Sequence, residues 1–114
     1  MSDQKTIDDA VNFLYTHGKK YAEAKAHRVY IEEYRKSLKA MLMKKAQAEG
    51  LAKTAAGAEI EAYSDSAYIE LLQGLKAAVE KEEELRFALE SARARIDCWR
   101  SEQANNRFLD KVTM

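Results

Sequence analysis

Proline is missing from all 114 residues and glycine occurs only four times. A chain with so few turn-setting residues reverses direction rarely, which excludes folds built from many short strands and leaves long helices. The single cysteine, Cys98, excludes an intrachain disulfide and fits a reducing compartment. The longest unbroken apolar run is Ala40, Met41, Leu42 and Met43, far short of the roughly 20 residues that cross a bilayer. The segment carrying Asp3, Asp8 and Asp9 lacks the basic-then-apolar pattern of a leader, so export is not expected. Charge of one sign is missing too. Nineteen bases and nineteen acids cancel, which removes any bulk attraction to nucleic acid or to an anionic membrane and confines such binding to local patches.

What is present is the composition of amphipathic helices, with 33% charged and 46% hydrophobic residues. The fold expected is all-α: an antiparallel two-helix coiled-coil hairpin, a single domain over 1–114, assembling into a helical bundle. Thr6 with Asp8 and Asp9 reads as a helix start, and no breaker cluster follows before Gly50. Helix one is therefore expected over about 7–49, roughly 63 Å at 1.5 Å per residue. Gly50 to Gly57 encloses small residues between two glycines and sets the turn at about 50–58. Helix two is expected over about 59–108, with a kink near 64–66 where Ser64, Asp65 and Ser66 form a second start signal, and an end near Asn105 and Asn106.

Helix two has the clearest period. Tyr68, Leu71, Leu75, Ala78, Glu82, Leu85, Leu89, Ala92, Ile96, Trp99 and Gln103 advance by alternating steps of three and four, a 3.5-residue seam with Glu82 its one charged member. In helix one, Ile7, Val11, Leu14, Gly18 and Tyr21 fit one register and Ile31, Tyr34, Leu38 and Met41 another, with a slip between them. Charge order supports antiparallel pairing. Residues 19–45 hold nine bases against three acids and residues 58–90 hold nine acids against three bases, and a reversal near Gly50 sets these blocks side by side. Such exposed pairs contribute about 0–1 kcal/mol each, so they select orientation more than they stabilise.

Two long helices leave apolar residues off the seam. Tyr30, Leu42, Leu72 and Val79 need cover and predict a homo-oligomer, a dimer first. Arg86, Arg93, Arg100 and Arg107 fall seven apart in one stripe, with Arg95 and Trp99 beside it. This row is a candidate for binding a protein partner or nucleic acid; the simpler reading is a solvated flank paired with acids on the neighbouring helix. The six tyrosines suit interfaces, though most fit a core at helical spacing. Glu23 and His27 offer two ligands on one helix face, too few for a metal site. Gly50, Lys53 and Thr54 lack the glycine and the leading strand of a phosphate loop. Glu82, Glu83 and Glu84 read as a solvated acidic face, and Cys98 has no histidine near in sequence to activate it. No catalytic constellation and no cofactor are expected.

Glu61, Ala62 and Tyr63 through Tyr68, Leu71 and Leu72, then Ala78, Val79, Glu82, Glu83, Leu85 and Arg86, and finally Ala94, Arg95, Ile96, Trp99, Arg100, Ser101, Asn106 and Arg107 together resemble a group of small helical proteins encoded by bacteriophages and prophages. Tyr21, Ala22, Ala24, Lys25 and Ala26 with Tyr30 and Glu32 are similar to the first helix of that group, so the resemblance covers residues 15–107. It implies a bacterial host cytoplasm and a setting among phage DNA replication and recombination functions, and it supplies no catalytic residues. The expected function is a non-enzymatic phage accessory protein that binds a phage or host protein in DNA recombination, replication or host-defence interference. The alternatives are nucleic-acid binding through the arginine stripe and a structural coiled-coil scaffold.

Overall fold

The computed structural model describes the backbone of residues 2–113 and the side chains of residues 4–112, and among these the chain is all-helical without strands. Asp3 therefore lies outside the described side chains. Three helices occur in order: α1 (Ser2–Ala48), α2 (Ala55–Ser64) and α3 (Ser66–Thr113). α1 starts earlier than Thr6, which lies inside its first turns. α3 runs past Asn105 and Asn106, because two asparagines lower helix propensity by only about half a kcal/mol each and do not stop an established helix.

The link between α1 and α2 is shorter than the glycines suggest. Gly50 adopts φ +76°, and the amides of Gly50 and Leu51 donate to the carbonyls of Gln47 (3.2 Å) and Ala46 (2.9 Å). This is the paired back-bonding of a left-handed helix end, and it satisfies carbonyls the helix leaves open. Gly57 is no terminator. It lies in the first turn of α2, where its amide donates to the Thr54 hydroxyl at 3.1 Å, so Thr54 caps the helix. The expected kink is a full break at one residue. Asp65 leaves helical geometry (φ −69°, ψ 138°) and ends α2, and its carboxylate then accepts from the Ala67 amide at 2.8 Å, capping α3. Ser64 turns its hydroxyl back onto the Ile60 carbonyl at 2.9 Å, which weakens the ladder at the same point.

The chain divides into two compact units: unit 1, Met1–Ala22 with Glu83–Met114, and unit 2, Glu23–Glu82. In unit 2 the core is Leu42 with Ala62 and Tyr68, flanked by Leu38 and Met43. Contacts within it run in opposed order along α1 and α3, with Arg28 beside Glu82 and Leu42 beside Tyr68. In unit 1, Ile7, Ala10, Leu89 and Ala92 are buried.

Every residue of the α3 seam series is buried or half-buried. The register of α1 needs correction. Its line of buried and half-buried positions runs through Ile7, Ala10, Leu14, His17, Tyr21, Ala24, Arg28, Ile31, Arg35, Leu38 and Leu42, again in steps of three and four and without a slip. Val11, Tyr34 and Met41 lie outside that line and are exposed, whereas Leu42, expected on an outer face, is 8% exposed and belongs to the core. The tyrosines are corrected likewise: Tyr68 is buried and Tyr21 half-buried, while Tyr15, Tyr30, Tyr34 and Tyr63 face solvent.

Candidate binding surfaces

The correction to α1 explains Glu82. The carboxylate of that charged seam member is met by another, Arg28, in a two-pronged contact: Arg28 Nε to Oε2 at 2.7 Å and a terminal nitrogen to Oε1 at 3.0 Å. The Glu82 side chain is only 8% exposed, so it is no part of a solvated face. Arg28 also reaches Glu32 at 3.0 Å, and Glu82 first and Glu32 second hold its guanidinium above the ordinary arginine range. A pair of this kind fixes register, because a shifted helix breaks the two-pronged contact that offsets desolvation of the Glu82 carboxylate. A second cross-helix pair joins Lys39 to Glu59 at 3.2 Å, with the ammonium 4.7 Å from the centre of the Tyr63 ring. Tyr63 first and Glu59 second raise the Lys39 pKa above its usual 10.5.

The arginine stripe is not uniform. Arg86 bonds Glu83 (Nε to Oε2, 2.8 Å) and Glu90 (2.7 Å), and those carboxylates, Glu83 foremost, hold it above the ordinary range. Arg100 lies 3.8 Å from Asp97. These acids stand on α3 itself, three or four residues away, and not on a neighbouring helix as the simpler reading requires. Among the described residues, Arg93, Arg95 and Arg107 make no ion pair and are exposed.

Arg95 has the most distinctive surroundings in unit 1. It borders two open grooves, one of about 310 Å³ formed with Phe13, Ala88 and Ala92 and with Asp9 at its edge, the other of about 180 Å³ with Ile7, Trp99, Cys98 and Glu102. The sequence places Arg95 next to Trp99 but gives no sign of Phe13, which reaches it only because α1 lies alongside. The Phe13 ring stacks on His17 at 4.0 Å. Trp99, expected as buried packing, is half-buried at the groove.

Of the expected oligomer residues, Tyr30 (67%), Leu72 and Val79 are exposed and Leu42 is not. Unit 2 adds residues that the sequence does not single out for this purpose: Tyr34, Leu38, Leu71, Ala67 and Gly74 line an open groove of about 390 Å³. Small residues at Ala67 and Gly74 are its only signal. Among the described residues no group of three or more His, Cys, Asp and Glu is placed to hold a metal ion, and no helix among them is long and apolar enough to cross a membrane. Compared with known proteins, the chain matches no family model, no curated protein and no solved structure.

Proposed function

We propose that this chain is a non-enzymatic accessory protein of bacteriophage origin, an antiparallel helical hairpin that forms a homodimer in a bacterial cytoplasm and binds a protein partner. The expected setting is DNA recombination, replication or interference with host defence. One observation carries the binding site: Arg95, unpaired and exposed, stands between two grooves whose walls are Phe13 on one side and Trp99 on the other. Arginine beside tryptophan or another aromatic ring in a shallow apolar groove is the composition of protein-interface anchors. An acidic, partly apolar segment is the ligand it suits, its carboxylate meeting Arg95 and its side chains filling the grooves.

Nucleic acid is the second reading, favoured by the unpaired Arg93 and Arg107, about 21 Å apart on a helix of 1.5 Å rise. Against it, Glu83, Glu90 and Asp97 neutralise Arg86 and Arg100, which lowers the potential that phosphates need. The test compares the native chain with Arg95→Glu. A bacterial protein captured by the native chain and lost with Arg95→Glu, at unchanged melting temperature, supports the protein-binding reading. Tight gel-shift binding to DNA at physiological salt, with a salt slope that falls by roughly one unit for Arg93→Ala or Arg107→Ala, replaces it with the second.

A further inference from the structure

The proposed homodimer needs a face, and unit 2 carries one that complements itself; its assignment rests on the reading of the chain as a dimer. On α1, Tyr34 is exposed with its ring stacked on Tyr30, centroids 6.2 Å apart and planes 5° apart, and Met41, seven residues on, is 49% exposed. On α3, Gly74 and Ala67 are also seven apart and form low points in the lining of an open groove, and a Cβ added at Gly74 meets nothing within 4 Å. Tyr34, Gly74 and Ala67 line the same groove, with Leu38 and Leu71 between them. Because contacts in unit 2 run in opposed order along α1 and α3, the step from Tyr34 to Met41 parallels the step from Gly74 to Ala67. Two protrusions on one helix stand level with two hollows on the other.

We infer that this face binds a second copy of the chain through a two-fold axis parallel to the helices. That axis carries α1 of one copy onto α3 of its partner at the same height, so protrusions meet hollows. Charge selects the same axis. Within unit 2, residues 23–45 hold seven bases against three acids and residues 58–82 hold six acids against two bases, so this axis sets opposite blocks together, whereas a two-fold perpendicular to the helices sets like upon like. A standard interface takes about 800 Å² per partner, roughly a tenth of the 8595 Å² the chain exposes. Two heptads of one face, about 20 Å of helix, cover less than that. A face below the standard size suits a reversible dimer, whose population rises with concentration.

Sedimentation velocity from about 1 to 200 μM tests this with the full chain. The native protein shifts from monomer to dimer across that range. Gly74→Gln fills the hollow while improving the helix, so it weakens dimerisation at least tenfold without lowering the monomer's melting temperature. In a Cys98→Ser background, mixing Tyr34→Cys chains with Gly74→Cys chains gives a mixed disulfide that neither chain forms with itself. A native chain that stays monomeric, a Gly74→Gln dimer as tight as the native one, or absence of the mixed disulfide overturns the inference. Arg95→Glu leaves the dimer intact, so loss of a captured partner in that variant bears on the binding site of unit 1 alone.

Discussion

Replacing Leu42 and, separately, its neighbour Met41 by alanine tests the register of α1 directly. Leu42 is 8% exposed against Ala62 and Tyr68, so truncation removes three carbons from a packed site. At about 0.8 kcal/mol per buried methylene the transfer term is ~2.4 kcal/mol. The half-buried Leu38 and Met43 close part of the space left behind, which keeps the cavity term small and the total at about 2–3 kcal/mol, the low end of leucine truncations. Met41 is 49% exposed, and the gain in helix propensity offsets much of its loss, so Met41→Ala costs well under ~1 kcal/mol. For a chain of this size, at about 4 °C per kcal/mol, Leu42→Ala lowers the midpoint of thermal unfolding by roughly 8–12 °C and Met41→Ala by a few degrees at most. Circular dichroism at 222 nm, recorded at one low protein concentration for all three chains, measures both. Equal losses, or a larger loss for Met41→Ala, would falsify the continuous seam and restore the register in which Met41 faces inward.

Three other perturbations have defined outcomes. Gly50→Ala forces a side chain into φ +76° and costs about 1–2 kcal/mol, while Thr54→Ala removes the cap on the Gly57 amide and costs about 1 kcal/mol; urea titration reads both, and a neutral Gly50→Ala refutes the left-handed helix end. Arg28→Leu and Glu82→Leu each destabilise by removing the two-pronged contact that offsets desolvation of the remaining charge, and the double variant melts above both single variants; a double variant no better than the worse single one contradicts the pairing. Lys39 has a folded pKa above its usual 10.5, so its contribution is complete below that value and is lost as pH rises through the folded pKa. The stability difference between the native chain and Lys39→Met is thus constant from pH 7 to 9 and shrinks at more alkaline pH, and a difference that grows there reverses the sign of the argument.

Much of the helical pattern is legible because α3 writes it in large letters: Leu71, Leu75, Leu85, Leu89 and Ile96 mark the seam almost without interruption. α1 misleads because its line contains Ala10, His17, Ala24, Arg28 and Arg35, while bulky Val11, Tyr34 and Met41 sit beside it. Hydrophobicity alone therefore pulls the register one position aside and produces a slip where none exists. Arg28 belongs on the line only because Glu82 faces it, and that is a property of the pair. Gly57 misleads for a related reason, since a glycine in the first turn of a helix and one just past its end look alike until the capping threonine is placed. Arg95 and Trp99 can be read as neighbours, but Phe13 is 82 positions from Arg95 and joins them only through folding.

Among the described residues no large side chain is fully buried, and the most enclosed are Ala58 and Ala62. A fold held in this way is specified by where apolar and charged positions fall and hardly by which apolar residue fills each one. Over generations, Leu, Ile, Met and Val can replace one another along α3, and the flanking bases and acids can exchange in pairs, without loss of the structure. What the fold requires is the phase of the seam, the order of charge signs along the chain, and at Gly50 a residue that accepts the left-handed turn.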